Sequence, residues 1–157
     1  MVLDRRHDDD GGRSLTQIRL VEDKDGTVAR WIFDYVKSIA IRYDLSLGVI
    51  DSQGTLKGGI MFSGYNGSDV EVHFFGPGTL KRHVLVMIFK IALLHFKANR
   101  MTVRTRKPSM ARGVQKLGAV YEGKHLRTYG PTDGDEHAAH QFVFFRERMA
   151  EIAGVAL

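Results

Sequence analysis

Cysteine is missing from all 157 residues, which removes disulfides and thiolate metal sites from consideration and leaves the redox compartment unspecified. Proline occurs three times, each time at a break: Pro77 between two glycines, Pro108 ahead of a short helical stretch, and Pro131 in a polar loop. No apolar run is long enough to cross a bilayer. The most apolar stretch, 84–96, is too short and contains Lys90. The N-terminus lacks the apolar core of a signal peptide, which sets the expectation of a cytoplasmic protein. Acidic residues are absent between Thr79 and Lys116, where ten Lys/Arg residues fall. The rest of the chain carries the other thirteen Lys/Arg against all eighteen Asp/Glu, so the net charge of +5 arises in that one segment. Such asymmetry points to a phosphate-bearing ligand or to nucleic acid.

What is present centres on residues 69–106. Asp69 to Phe75 alternates polar and apolar residues, the period of a half-buried strand. Gly76-Pro77-Gly78 ends it. Thr79 then reads as an N-cap, and Leu80 to Lys97 as one helix, apolar nearly all round and closed by Asn99. Arg100 to Arg106 alternates again. Strand, helix and strand in this order predict a parallel pair joined by a right-handed crossover. Free N–H groups at the helix start form a natural anion site. Lys81, Arg82 and His83 in that turn oppose the helix dipole, a local cost that an anion would offset. The plainer reading is that these side chains are simply solvated.

The length suits one domain. Residues 1–13 read as a flexible N-terminal arm, 14–147 as a single domain and 148–157 as a C-terminal tail. Within the domain, 14–21 is expected as a first strand and 27–42 as an amphipathic helix with Val28, Ile32, Tyr35, Val36 and Ile39 on one face. Trp31 and Phe33 widen that face. Strands 45–50, 56–62 and 69–75 follow as an antiparallel meander, with Asn66-Gly67 as the hairpin signal. After the strand at 100–106 come a short helix ending at Gly118, a strand over 119–129 bulged at Gly123, a last strand over 141–145, and a tail helix from Arg146 to Leu157.

This order resembles that of the GNAT superfamily of acetyl-CoA-dependent N-acetyltransferases. The best local match is Met110 to Gly123, where Lys116-Leu117-Gly118-Ala119 and Glu122-Gly123 stand in the places of the family's Lys-Leu-Gly-Phe and Glu-Gly. The resemblance implies an α/β fold, a central mixed sheet of about six or seven strands with a splayed central pair and flanking helices. It implies acetyl-CoA between strands 69–75 and 100–106. Backbone groups of Phe74, Phe75 and Gly76 would hold the thioester and pantetheine arm, and the segment Gly78, Thr79, Leu80, Lys81 and Arg82 would cradle the pyrophosphate. Four departures accompany it. The usual glycine-rich phosphate loop is replaced by Gly76 to Arg82, and the asparagine after the fifth strand by Lys107-Pro108. Val114 stands near the place of the tyrosine that protonates the departing thiolate. One helix rather than two precedes the meander.

For the chemistry, Glu71 and His73 share a face of their strand and are the candidate proton relay from an amine. The structural alternative is an ion pair from Glu71 to one of Arg100, Arg104 and Arg106 across the sheet. Tyr121 and Tyr129 are alternative acids. His137 and His140 have weak metal spacing and no fixed acidic or thiol partner, so no metal is expected. The resulting reading is an N-acetyltransferase acting on an unidentified amine. The alternative is a catalytically inactive GNAT-fold interaction protein, such as a divergent bacteriophage virion or assembly component, with a protein partner at the N-terminal arm or C-terminal tail. Nucleic acid binding through Arg104, Arg106, Lys107, Arg112 and Lys116 lacks a base-reading motif. No membrane partner is expected.

Overall fold

The computed structural model describes residues 18–36 and 42–157. Its strands are β1 (Arg19–Glu22), β2 (Leu45–Ile50), β3 (Leu56–Ser63), β4 (Asp69–Phe75), β5 (Arg100–Thr105), β6 (Val120–His125) and β7 (Ala139–Phe145). The helices are α1 (Thr27–Val36), α2 (Arg82–Lys90), α3 (Pro108–Lys116) and α4 (Arg146–Ala153). The strands form one mixed sheet in the order β1-β2-β3-β4-β5-β7-β6. The chain divides into two compact units, 1–63 with 74–85, and 64–73 with 86–157.

In the first unit β1, β2 and β3 are antiparallel, with Arg19 opposite Ile50 and Leu45 opposite Phe62. The acidic turn ahead of α1 has a structural role. The Asp23 carboxylate accepts from the N–H groups of Val28 and Ala29 at 3.1 and 2.8 Å, satisfying donors that the first turn leaves open. Val28, Ala29 and Ile32 of α1 are buried with Met61 of β3. Gly59 permits that approach, since a Cβ there would stand 2.5 Å from Ile32 Cδ1. The expected helix over 27–42 ends at Val36 among described residues; 37–41 lie outside them, and Arg42 is not helical. The N-terminal arm and the start of the expected first strand also lie outside the described residues.

In the second unit β5 and β7 are antiparallel, and β6 pairs with β7 through a register shift between Tyr121 and Gly123. That shift is the bulge anticipated at Gly123. β4 and β5 are parallel, with pairs Asp69↔Arg100, Val70↔Met101 and Glu71↔Thr102. Phe89 and Phe144 meet edge to face at 4.9 Å between centroids, and both are buried.

Several expected boundaries move. The helix predicted over 80–97 is α2 from Arg82 to Lys90 followed by a π-helical turn, Ile91–His95, in which Phe96 N–H donates to Ile91 O at 3.1 Å. The wider turn buries Ile91, Ala92 and Leu93 in succession while Leu94 faces water. Lys97, at φ +54°, ends the segment. Asn99 instead bonds Ser68, through its N–H to the carbonyl at 2.7 Å and through its side-chain amide to the hydroxyl at 3.1 Å. β6 stops at His125 rather than 129, because a left-handed residue, Arg127 at φ +56°, breaks it soon after. α4 stops at Ala153, where Gly154 at φ +65° accommodates the reversal.

Replacing Phe89 by Ala removes a fully buried ring and its partner for Phe144. Urea unfolding should show a loss of about 3–5 kcal/mol, and a loss under 1 kcal/mol would contradict this packing.

Candidate functional site

The sequence-predicted residues fall into two groups, one in each unit. The first is the loop leaving β4. Gly76 and Gly78 both adopt positive φ, +80° and +85°, conformations that cost a side-chain-bearing residue energy. A Cβ at Gly76 would also lie 2.7 Å from Lys57 O and 3.1 Å from Trp31 Cη2, so the loop is seated directly on β3 and α1. At Gly78 the added atom would meet Ile18 Cδ1 at 3.0 Å, a packing reason that the sequence does not reveal.

Thr79 does not cap the helix. It is buried and its hydroxyl donates to Gly76 O at 3.1 Å, which closes the loop on itself. Lys81 occupies the capping position instead: its N–H reaches Gly78 O at 3.4 Å, and its carbonyl accepts from Leu85 N–H at 3.0 Å. The N–H groups of Arg82, His83 and Val84 therefore have no acceptor within the helix. Leu80, Lys81, Arg82 and His83 are exposed, and no acidic residue stands in the first turn. Phe74 and Phe75 are partly buried, Phe75 against the cluster of Val28, Ala29, Ile32 and Met61. Open N–H donors beside exposed cations suit a phosphate ester, so these residues fit the nucleotide end of a CoA thioester.

The second group lies on the polar face of the second unit. Arg104 donates from Nη1 to Glu71 Oε2 at 3.1 Å and from Nε to Gln141 Oε1 at 2.9 Å. Arg100 grips Glu122 with two parallel bonds of 3.0 and 2.6 Å, and its Nε lies 3.1 Å from Asp69 Oδ2. Gln141 joins the two halves by donating to Glu122 at 2.9 Å. Thr102 donates to Asp69 at 3.0 Å. The expected pairing of Glu71 with an arginine is thus present, and Arg104 is the partner. His73 Nε2 stands 3.9 Å from Glu71 Oε1. Burial pushes the His73 imidazole below its ordinary value; the Glu71 charge opposes that and Arg104 adds to it.

Tyr129 reaches the same neighbourhood. Arg106 Cζ lies 5.3 Å from its ring centroid, a cation–π contact. Its hydroxyl is pushed up, first by burial and then by Glu71. Tyr121 turns elsewhere, its hydroxyl 3.1 Å from His140 Nδ1. His137 Nδ1 meets Thr132 Oγ1 at 2.7 Å in the loop, whereas His140, expected in the same loop, lies on β7, so the two histidines serve different partners. Among the described residues no group of three His, Asp or Glu is placed to hold a metal. Sequence reasoning missed Glu122, because the bulge beside it obscures which face it occupies, and Gln141, whose amide carries no charge signal.

Hydrogen bonds from Arg100, then from Gln141, hold the Glu122 carboxyl below its ordinary value of 4.5. A depressed folded-state value stabilises the fold above about pH 4.5, and that contribution is lost as pH falls through the lower folded value. Glu122→Gln should cost about 1 kcal/mol at pH 7 and progressively less as pH falls below 4.5 through the lower folded value. Urea titrations across that range check it, and a pH-independent difference would exclude the ion pair as its source.

No family model matches the chain, and no curated protein matches it in sequence. Solved structures do match in fold. Spermidine/spermine N-acetyltransferase SpeG from Vibrio cholerae, in complex with manganese ions, superposes with a TM-score of 0.67 at 13% identity, over 86% of this chain and 96% of that one. The dodecameric spermidine N-acetyltransferase from Vibrio cholerae in an intermediate state gives 0.65 at 16%, over 84% and 95%. A candidate acetyltransferase from Acinetobacter baylyi gives 0.66 at 18%, over 85% and 94%. Identities this low speak for architecture and not for substrate. Among the described residues, the seven-stranded mixed sheet with one parallel pair and four flanking helices is the fold that these acetyltransferase structures share, and it agrees with the fold expected from the GNAT resemblance.

Proposed function

We propose that the protein is an acetyl-CoA-dependent N-acetyltransferase. The observation that carries this reading is the glycine loop after β4, whose open N–H donors and exposed Lys81 and Arg82 supply what a pyrophosphate needs. Acetyl-CoA would supply an acyl group activated as a thioester. The N–H groups of Arg82, His83 and Val84 bind its pyrophosphate, and backbone groups at Phe74 to Gly76 hold the thioester and pantetheine arm.

In the transfer, the amine nitrogen forms a bond to the thioester carbonyl carbon and the C–S bond breaks. The proton leaving the amine goes to a base, and the sulfur takes one up. His73 is the base, since burial keeps its imidazole neutral near pH 7 and so able to accept a proton. Glu71 is a positioning residue: fixed by Arg104, it stands beside His73 and supports the imidazolium once formed. Tyr129, whose hydroxyl stays protonated, is the candidate acid.

One observation favours a second reading. Val114, near the place where the resemblance calls for a tyrosine, is buried and apolar, which suits a GNAT-fold interaction protein without catalysis.

Removing charge at Lys81 and Arg82 together should weaken CoA binding by about 1–3 kcal/mol, as charge-assisted hydrogen bonds are lost. Pantetheine, which has no pyrophosphate, should bind the double variant and the parent alike. Calorimetric titration measures both, and equal CoA affinity would place the phosphates elsewhere. With an amine panel, release of free CoA should rise with pH through an apparent pKa below 6.5 and then level off, since only the neutral imidazole accepts a proton. His73→Gln should reduce the plateau about 100-fold. Tight CoA binding with no CoA release from any amine, and an unchanged result for His73→Gln, would favour the non-catalytic reading.

A further inference from the structure

In the second unit, the cluster around His73 carries one cation more than its own carboxylate balances. Arg104 is paired with Glu71. Arg106, two residues on, has no side-chain hydrogen bond or ion pair among the described residues. Its guanidinium is exposed and lies 5.3 Å from the centroid of the Tyr129 ring. We propose that Arg106 binds a carboxylate of the acceptor, so that the acceptor is an amino carboxylate rather than a simple amine. The proposal rests on the acetyl-transfer reading for calling its ligand the acceptor.

The strands and loop around Arg106 hold no spare anion for it. Asp69 and Glu122 are taken by Arg100, and Glu71 by Arg104. In the loop after β6, Asp133 pairs with Arg127 and Asp135 with Lys124, while Glu136 accepts from the Thr132 hydroxyl at 3.1 Å. The guanidinium is nevertheless held. Contact with the Tyr129 ring restrains one face of the group, while its N–H donors, which lie in the plane, stay free for an acceptor. A fork already oriented loses less freedom on binding, and a carboxylate matches it with two parallel hydrogen bonds.

The place suits the reaction. The Tyr129 hydroxyl, the candidate acid, feels the charges of Glu71, Arg106 and Arg104, so these groups share one neighbourhood. His73, the candidate base, stands 3.9 Å from Glu71. Arg106 follows Arg104 by two residues, about 6.6 Å along an extended chain. An acceptor whose carboxylate lies on Arg106 therefore extends its amine back toward Arg104, Glu71 and His73. Charge selects the same class of molecule. With His73 neutral, the cluster sets one carboxylate, Glu71, against two guanidinium groups, Arg104 and Arg106. That excess repels a bare ammonium or a polyamine, whereas an amino carboxylate brings the balancing charge with it.

The test reads binding without turnover. The full chain, labelled with nitrogen-15, is titrated with α-amino acids and with straight-chain ω-amino acids of three to six carbons, each beside its carboxamide. The arginine Nε–H resonance lost in Arg106→Lys identifies the group observed. At least one carboxylate should move that resonance saturably and bind about ten- to a hundred-fold more tightly than its amide. Arg106→Gln should abolish the preference while leaving affinity for the amide unchanged, which loss of a merely structural contact would not do. Lys107→Gln, an equal change of net charge one residue on, should keep the preference whole. No saturable shift with any carboxylate, equal binding by the amides, or a preference that survives Arg106→Gln overturns the proposal. So does an equal loss in Lys107→Gln, which would mark a diffuse field rather than a bound carboxylate. Displacement of the carboxylate by CoA would give Arg106 to a CoA phosphate and also overturn it. Carboxylate-selective binding without CoA release would leave the site standing and remove the acetyl-transfer reading. CoA release with a KM indifferent to the carboxylate and to Arg106→Gln would do the reverse.

Discussion

Two guanidinium groups on β5 organise the second unit. Arg100 reaches Asp69 on β4 and Glu122 on β6, while Arg104 reaches Glu71 on β4 and Gln141 on β7. The planar fork of arginine suits this task, because one side chain can satisfy acceptors from strands on both of its sides. Backbone pairing between β4 and β5 extends from Asp69↔Arg100 to Glu71↔Thr102. Past that point Arg104 continues the connection with its side chain, to the last paired residue of β4. An isolated surface ion pair contributes little, but a network of bidentate and amide-bridged contacts on a half-buried face holds its geometry better.

That constraint sets the chemistry available along β4. Glu71 is committed to Arg104, which fixes the place of its carboxylate. His73, two residues on and on the same face, is sheltered enough that burial outweighs the neighbouring carboxylate. The strand then leaves the ion-pair network and enters the glycine loop within three residues. A single strand thus carries a paired carboxylate and a half-buried imidazole, and leads into the two positive-φ glycines.

The fold was legible where periodicity was strong and breaks were sharp. Strand 69–75, the glycine break, the strand from Arg100, the helix opened by Pro108 and the bulge at Gly123 all stand close to where the pattern placed them. Misplaced boundaries have local causes. Apolar content does not reveal the π-helical turn after Lys90, because the residues of that turn are as apolar as those of the helix before it. Thr79 has the composition of a cap, yet it lies ahead of the first helical turn and its hydroxyl donates back to Gly76 O in the loop. The candidate site was only partly legible. The pairing of Glu71 with an arginine follows from strand alternation, whereas Glu122 and Gln141 enter through a bulge and an uncharged amide. The contact of Trp31 with Gly76 joins residues far apart in sequence, and no local pattern announces it.

The basic segment shows how far net charge can be trusted. Ten cations without an acid suggest a broad polyanion surface, and the structure subtracts from that. Arg100 and Arg104 are neutralised by Asp69, Glu71 and Glu122, all supplied from outside the basic segment. Arg106 is laid over Tyr129. The segregation along the chain is therefore in part an assembly device, in which acids from β4 and β6 find their partners on the strand between. The exposed cations that remain without an ion pair among the described residues include Lys81 and Arg82 at the loop and Lys107, Arg112 and Lys116 around α3. Lys81 and Arg82 begin a nine-residue helix and Lys107 caps another, but only the first two follow a pair of positive-φ glycines. Coincidence of charge with unsatisfied N–H groups and a glycine loop, rather than the sum of charge, is the criterion that a phosphate site has to meet.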